Sequence, residues 1–244
     1  MQKTKPLTIE NRWDILYVDY PEIYDAFASV PKDPTMIDII NKHFKLHDKT
    51  ILDIGSGSGE SSFQLSTISK HVIGLEIEDN MRHIAEQKAK KLNIHNVSFH
   101  KGTALDISLP DQSVDASIAI TLPLFIEDEI RMYIREALRV TKNGGYIINL
   151  GIAPFCYGGD LAEIILGESK VTEEDTEGVV DRILRDEFGF SYFDYEAIQT
   201  YDSIEHIVST YGFIFGQQAI DYIRKTDKKH ITWTYRIHYL MKSK

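Results

Sequence analysis

The hydrophobic pattern of residues 46–152 alternates between short apolar runs and longer segments that carry apolar residues at helical spacing. Runs of this length are typical of buried strands, and the spaced segments are typical of amphipathic helices. The predicted strands are 50–54, 71–75, 97–100, 113–120 and 145–150, and the predicted helices are 60–69, 79–92 and 127–140. Repeated strand–helix units predict an α/β fold with a parallel sheet and helices on both faces.

The flanking segments do not continue this alternation. Residues 1–45 are predicted to be an N-terminal helical segment rich in aromatic side chains. Residues 153–202 are predicted to be an insertion, here called the cap, with helices and an aromatic run near its end. Residues 203–244 are predicted to return to the core formed by 46–152. Their predicted elements are a helix opened by Ser203 and an antiparallel pair of strands, 213–222 and 231–241.

Composition and charge exclude several classes of protein. The 244 residues are 43% hydrophobic and 26% charged, unlike a disordered or collagen-like chain. A formal net charge of −10 argues against a protein that grips phosphate backbones. Cys156 is the single cysteine, so no internal disulfide forms, and no apolar stretch is long enough to span a bilayer. We therefore expect a cytoplasmic protein that binds neither nucleic acid nor membrane.

A glycine-rich loop follows the first predicted strand and opens the next helix. It begins at Asp53 and reads D-x-G-x-G-x-G, ending at Gly59. Glu60 and Ser62 occupy the positions at which a dinucleotide fingerprint needs its third glycine, and the lysine of a P-loop is missing. Glu76 ends the second predicted strand, where a carboxylate can accept hydrogen bonds from ribose hydroxyls. This pattern predicts a nucleoside site without a phosphate site.

The loop, Glu76-Ile77, Met81 and two later segments together resemble the class I S-adenosylmethionine-dependent methyltransferases. The later segments are Leu109–Asp115 and Lys142–Tyr146. The likeness covers about residues 35–150 and is closest to the broad small-molecule type 11 family. It implies a Rossmann-like, doubly wound, seven-stranded sheet whose final strand is antiparallel, with the cap added. It also implies S-adenosylmethionine as cofactor and S-adenosylhomocysteine as its product.

The resemblance implies a role for each matching residue. The glycine loop would line the methionine part of the cofactor, Glu76 would hold the ribose, and Ile77 and Met81 would pack on the adenine. Thr103 replaces an acid that often binds the adenine amine, so Thr103, Asp106 or a backbone carbonyl could serve. The implied cofactor-binding residues are Asp53, Gly55, Ser56, Gly57, Gly59, Glu76, Ile77, Met81, Thr103, Ala104, Leu105, Thr121 and Leu122.

No catalytic base is identified. Residues 121–126, after the fourth predicted strand, lack the histidine that many small-molecule relatives carry there. His43 and His47 are interpreted as a surface pair, so no metal site is expected. The transfer would then depend on proximity and orientation. The expected function is methyl transfer to an O, N or C atom of a small molecule. The alternatives are a methyltransferase acting on protein or RNA, or a non-catalytic binding protein for the cofactor.

The acidic excess is local to the cap. Residues 155–205 contain 14 Asp and Glu but 3 Lys and Arg, whereas the rest of the chain contains 23 acids and 24 bases. A solvated acidic helix accounts for this, or the cap favours a cationic or amine-bearing substrate. The aromatic residues either form the walls of a substrate site or fasten a helical subdomain to the sheet. The candidate substrate-binding residues are Tyr17, Tyr20, Tyr24, Phe125, Tyr157 and Tyr192.

Overall fold

The strands form one mixed sheet. The computed structural model describes residues 16–124, 126–154, 156, 158–167 and 178–243. The strands within these ranges are β1 (Lys32–Asp33), β2 (Thr50–Ile54), β3 (His71–Glu76), β4 (Val97–Lys101), β5 (Val114–Ile120), β6 (Thr141–Ile152), β7 (Ser191–Thr200) and β8 (His230–Met241). They form an eight-stranded sheet in the order β1-β7-β8-β6-β5-β2-β3-β4.

Helices connect most of these strands. The helices are α1 (Pro21–Ala28), α2 (Met36–His43), α3 (Glu60–Ser66), α4 (Asp79–Lys91), α5 (Glu127–Val140), α6 (Ala162–Leu166), α7 (Gly178–Arg182), α8 (Ile204–Ile207), α9 (Phe213–Phe215) and α10 (Gln217–Thr226). Ser203 caps α8 as predicted, because its side chain accepts a hydrogen bond from the backbone N–H of His206. None of the helices in the described ranges is long and apolar enough to cross a membrane.

The predicted doubly wound α/β architecture is confirmed. Strands β2, β3, β4, β5 and β6 pair in parallel. The final strand β8 is antiparallel to both of its neighbours, β6 and β7. The sheet has eight strands rather than the predicted seven, because the two-residue strand β1 adds to the edge of β7. A strand this short carries no sequence pattern of its own.

The predicted strand 213–222 is wrong, since these residues form α9 and the first part of α10. Its place beside β8 is taken by β7, which lies in the segment predicted as the cap. In β7 the side chains of Ala197 and Gln199 are buried while those on either side are exposed. The end of the aromatic run thus forms the first half of β7. The two-residue period of buried and exposed side chains in β7 is typical of a strand.

Two apolar clusters cover the two faces of the sheet. One face packs against helices α2, α8 and α10, with Trp233 and Ile237 of β8 fully or almost fully buried. The other face packs against α5, whose buried residues recur at helical spacing from Ile130 to Val140. Because both faces are covered, polar side chains on the central strands are also enclosed. This arrangement leaves the carboxyl ends of the parallel strands as the edge for ligands.

Candidate functional site

The glycine-rich loop lies at the carboxyl end of β2 and is tied to β3. The backbone N–H groups of Gly55 and Ser56 donate to the carbonyl oxygen of Leu75 at 2.8 and 3.0 Å. Gly59 then begins α3 with a left-handed φ of +90°. A side chain disfavours such a backbone, so the glycine is needed for this turn. The loop thus presents its backbone at the edge of the sheet where doubly wound folds bind ligands.

Glu76 lies beside this loop, held by backbone donors. Its Oε2 accepts from the N–H of Gly57 at 2.8 Å, and its Oε1 accepts from the N–H of Glu78 at 2.8 Å. The side chain is buried, and burial raises the pKa of Glu76, opposed by these backbone hydrogen bonds. Each carboxylate oxygen keeps a second lone pair for another donor. The carboxylate is therefore oriented and able to accept from a pair of hydroxyl groups.

Asp53 is fully buried under the loop, and only one of its two carboxylate oxygens accepts hydrogen bonds from the described residues. Its Oδ2 accepts from the hydroxyls of Ser61 and Ser62 at 2.7 and 2.6 Å. Its Oδ1 is buried and has no hydrogen-bond partner among the described residues. Burial raises the pKa of Asp53 to about 6, although the two serine hydroxyls oppose the rise. A buried acceptor without a donor is costly in the free protein and suits a ligand that brings one.

The hydroxyls of Ser56 and Ser58 are also buried without a partner among the described residues. Together with Asp53 Oδ1 they place three unpaired polar atoms around one short loop. A Cβ on Gly57 would lie 3.5 Å from the ring of Tyr24 and 3.8 Å from Cε of Met81, so the loop, Tyr24 and Met81 are close neighbours. The loop can thus hold a polar ligand with an apolar face.

The other predicted cofactor residues divide into those near the loop and those away from it. Met81 is fully buried beside the loop, and the side chain of Leu122 covers Gly55, whose Cβ would lie 2.6 Å from it. Thr121 has a left-handed φ of +50° at the exit of β5. Ile77 is 56% exposed. The structure thus places Met81 and Leu122 against the glycine loop.

The segment that starts at Thr103 closes a small turn of its own. The Thr103 hydroxyl accepts from the N–H of Leu105 at 3.2 Å, and Thr103 forms a bridge with Asp106. Ala104 and Leu105 are half-buried and pack against the cluster under α5. The turn follows β4, which pairs with β3, so it lies on the Glu76 side of the glycine loop.

The candidate substrate residues lie at separate places. The rings of Tyr17 and Tyr24 are 4.8 Å apart beside the loop, and burial raises the pKa of Tyr24 to about 12. Tyr20 instead packs edge-on against Phe213 at 5.3 Å. Tyr192 lies on β7 beneath the guanidinium of Arg236, 4.3 Å away. Phe125 and Tyr157 lie outside the described residues.

Helix α1, which carries Tyr24, is fastened to α4 by Lys88. The Lys88 ammonium lies 2.8 Å from a carboxylate oxygen of Asp25 and 3.4 Å from one of Glu60. Lys88 and Asp25 are 22% and 24% exposed, so solvent screens their pairing only in part. Glu60, the residue that breaks the dinucleotide fingerprint, is thus paired with a lysine.

Replacing Lys88 with methionine is expected to loosen α1 and to lower the free energy of unfolding by about 1 kcal/mol, because two carboxylates are left close together. Amide hydrogen exchange across 21–28 measures the loosening directly. Lys90→Met, on the exposed side of the same helix, is the matched control. Equal exchange across α1 in Lys88→Met and the parent protein would show that other contacts hold the helix.

Several polar residues of interest escape prediction from sequence. Ser61 and Ser62 support Asp53 from the first turn of α3, and their only sequence signal is their place directly after the glycine loop. Arg236 and His238 are buried on β8, 9% and 4% exposed, although they form its polar side. The alternation along β8 predicts which side chains lie on each face of the strand. Both faces are buried because β8 lies inside a sheet that is covered on both sides.

Several of the acidic side chains that the structure describes in 155–205 are paired with arginine. Arg131 bonds Glu187 at 2.8 Å, Arg185 bonds Asp186 at 2.8 Å, and Arg236 holds Asp194 by a two-point contact. These contacts account for several of the acidic residues without any substrate. The acidic positions in 168–177 lie outside the described residues, so the idea that they select a cationic substrate stays a prediction.

Comparison with known proteins agrees with this geometry. Residues 51–145 match a family model described as a methyltransferase domain. The chain is 32% identical over 95 residues to the uncharacterized methyltransferase YcgJ of Bacillus subtilis, covering 39% of this chain and 37% of that protein. It is 30% identical over 100 residues to the demethylmenaquinone methyltransferase of Listeria welshimeri, covering 40% and 42%. The chain thus matches about two fifths of the length of these relatives.

Solved structures extend the likeness to the whole fold. The crystal structure of YcgJ covers 85% of this chain and 98% of its own, with a TM-score of 0.57 at 18% identity. A structure described under conversion of a disulfide bond into a thioacetal group during echinomycin biosynthesis covers 97% and 93%, with a TM-score of 0.63 at 16% identity. Residues 51–145 of the chain are therefore similar to a methyltransferase domain, and the fold around them is the one that these solved structures share.

Proposed function

We propose that this protein transfers a methyl group from S-adenosylmethionine to a small-molecule acceptor. The observation that carries the proposal is the close placement of a glycine loop, an oriented Glu76 carboxylate and Oδ1 of Asp53, which has no hydrogen-bond partner within the described ranges. This set matches a ligand that has ribose hydroxyls at one end and an ammonium group at the other. When bound, S-adenosylmethionine supplies a methyl group already activated by its positive sulfur.

Different residues would contact different parts of the cofactor. Glu76 would accept from the two ribose hydroxyls, and Ile77 and Met81 would cover the adenine. Asp53 Oδ1 would accept from the ammonium group. The backbones of the loop glycines would line the methionine part together with Ser56. Thr103, Ala104 and Leu105 would border the adenine, with Thr121 and Leu122 near the methyl group.

The chain's contribution to the reaction would be orientation and exclusion of water. Tyr17 and Tyr24 close the loop from the N-terminal side, and α1 is held there by Lys88. Residues 1–45 would thus cover the site, while 46–152 and 203–244 form the core and part of 153–202 borders the acceptor. Holding acceptor and methyl group in line removes much of the entropic cost of the transfer. The acceptor atom is proposed to be O, N or C.

Calorimetry with S-adenosylmethionine and S-adenosylhomocysteine tests the cofactor, and both are expected to bind. Methyl transfer is then screened across amines, phenols, carboxylates and prenylated quinone precursors, with release of S-adenosylhomocysteine as the readout. The quinones are included because one relative bears the name demethylmenaquinone methyltransferase. Failure of the folded protein to bind either compound would overturn the proposal. Binding without any transfer would favour a non-catalytic binding protein.

Affinity for S-adenosylmethionine is expected to fall as the pH drops below about 6. Asp53 has its pKa raised to about 6, so it is ionised above that pH and protonated below it. Only the ionised form attracts an ammonium group, so the binding constant should fall by up to about tenfold per pH unit below the pKa. Calorimetry from pH 5 to pH 8 measures this.

The variant Asp53→Asn should bind more weakly at pH 8 and lose the pH dependence. Asp202→Asn, whose side chain is 99% exposed, is the matched control and should keep it. An unchanged slope in Asp53→Asn would show that another group titrates with binding, and that Asp53 does not contact the ammonium.

A further inference from the structure

A second polar feature of the structure is a small cleft between β6, β8 and α7, with room for about one water-sized group. Polar side chains line much of it, unlike the apolar clusters on either face of the sheet. The residues that line it include Asn149, Ile152, Pro154, Asp181, Arg236 and His238. The cleft is smaller than the sites that enclose whole drug-sized ligands. It can therefore take one hydroxyl or amino group of a small molecule.

The cleft lies toward the carboxyl edge of the sheet. Ile152 ends β6 and Pro154 follows it, on the same edge of the sheet as the glycine loop after β2. β5 alone lies between β2 and β6. At the usual spacing of strands, β2 and β6 are about 10 Å apart. Thr121, proposed to lie near the methyl group, donates its N–H to the carbonyl oxygen of Leu150 in β6 at 2.7 Å, so the methyl group and the cleft would lie against the same strand.

His238 and Asp181 form a hydrogen-bonded pair in the wall of the cleft. The distance from His238 Nε2 to Asp181 Oδ1 is 2.9 Å, and the two side chains are 5% and 10% exposed. The hydrogen bond from His238, assisted by Arg236, lowers the pKa of Asp181 to about 2. Asp181 is therefore ionised and can only accept, which requires a hydrogen on Nε2 of His238. In the neutral ring, Nδ1 then carries a free lone pair.

Nδ1 of His238 is buried and has no hydrogen-bond partner in the described part of the chain. A buried polar atom without a partner usually marks a place where a ligand or water binds. Arg236 keeps Asp181 in position with a 2.8 Å bond to the same Oδ1, and Asp194 holds Arg236 by 2.7 and 2.9 Å bonds. The carboxylate, the guanidinium and the ring orientation are thus fixed before any ligand arrives.

We propose that the cleft binds the reacting end of the acceptor, and that His238 accepts the acceptor's proton through Nδ1 while Asp181 orients the ring. This inference rests on the proposed methyl transfer. It assigns the substrate to protic acceptors, which carry an O–H or N–H at the atom that is methylated. A tertiary amine or a thioether has no proton to give and would gain nothing from this pair.

A lone pair on the acceptor oxygen or nitrogen forms the bond to the methyl carbon, and the bond between that carbon and sulfur breaks. The sulfur keeps the electron pair and becomes a neutral thioether. The acceptor's proton passes to Nδ1 of His238, which becomes an imidazolium beside the negative charge of Asp181. Release of that proton to water restores the ring.

The variant His238→Gln separates the base from its structural role. The glutamine amide N–H can replace the Nε2–H bond to Asp181, but it places no basic nitrogen at the Nδ1 position. We expect kcat with the protic acceptors found by the screen to fall by 10²- to 10⁴-fold, the usual contribution of a general base. KM and the affinity for S-adenosylmethionine should stay within about threefold. His95→Gln, an exposed histidine on another loop, is the matched control.

Two readouts distinguish this inference from the proposed function. The first is the acidity of the acceptor: the loss in His238→Gln should be larger for alcohols than for phenols, which ionise more readily. A structural defect would lower both rates alike. A loss of less than threefold on every protic acceptor would overturn the role of His238 and leave methyl transfer standing.

The second readout needs no turnover. Nitrogen-15 NMR of the labelled protein at pH 7.5 should show the His238 ring with hydrogen on Nε2 alone. Millimolar phenol, used as an O–H donor, should shift the Nδ1 resonance. A hydrogen on Nδ1, or a resonance that phenol does not move, would overturn the proposal even if the screen finds an acceptor. Absence of cofactor binding would overturn the proposed function instead.

Discussion

Replacing Glu76 with glutamine is expected to weaken the binding of S-adenosylmethionine by about 10- to 100-fold. Hydrogen bonds to a charged group contribute about 1.5–3 kcal/mol, and the carboxylate would accept from ribose. Glutamine fills the same volume but cannot accept at both ends. Since Oε1 and Oε2 each accept from a backbone N–H, the amide nitrogen must face one of those donors. Calorimetry with the purified variant measures the loss.

The comparison of two ligands makes this result specific to ribose. S-adenosylhomocysteine has the same ribose but no positive sulfur, so its affinity should fall by the same factor. Glu205→Gln, an exposed glutamate on α8, controls for the change of charge and should leave both affinities unaltered. If Glu76→Gln bound both ligands like the parent protein, the ribose site would be elsewhere. A loss for S-adenosylmethionine alone would place Glu76 near the sulfur.

The part of the fold around the glycine loop is predictable from sequence because the residues that determine it are close together in the chain. The glycine loop needs its left-handed residues at every second position of one short segment, and Glu76 needs only to end the next strand. The strands β2 and β5 and the helix α5 begin and end within a residue of their predicted positions. Continuous apolar runs and a strong helical period define these elements without help from distant residues.

The other half depends on contacts between distant residues. Residues 213–222 are rich in aromatic and β-branched side chains, which favour strands, yet Ala219 and Ile223 are buried at the spacing of a helix. In β7, aromatic and polar residues alternate from Phe193 to Glu196, which is typical of a strand, and the pairing with β8 then places that strand in the sheet. The burial of His238 and Arg236 likewise comes from α7, which is far away in the sequence.

Some site residues are likewise predictable from local sequence, whereas others depend on contacts between distant residues. Asp53 and Glu76 are marked by the glycine loop, whereas the pair formed by Asp181 and His238 joins positions 57 residues apart. Residues 121–126, after the fourth predicted strand, contain no histidine, whereas the proposed base lies on β8. Spacing in the sequence cannot reveal the pair, because it forms only when α7 brings Asp181 within 2.9 Å of His238.

Replacing Gly59 with alanine is expected to lower the free energy of unfolding by about 2–5 kcal/mol. Gly59 has a φ of +90°, where a side chain costs about 1–2 kcal/mol. Its Cβ would also lie 2.8 Å from Phe63, 2.9 Å from Phe99 and 3.0 Å from Ala85. These contacts are too short, and overpacking of this kind costs about 1–3 kcal/mol more. Urea denaturation measures the change.

Gly144→Ala separates the two contributions. Gly144 has a similar φ of +78°, but nothing lies within 4 Å of its added Cβ, so its variant should lose only the backbone part, about 1–2 kcal/mol. The difference between the variants then measures how tightly α3, α4 and β4 pack behind the glycine loop. Equal losses would mean that the two phenylalanine rings move aside at little cost. In that case the loop would be fixed by its backbone conformation, and Gly59→Ala should still bind S-adenosylmethionine once folded.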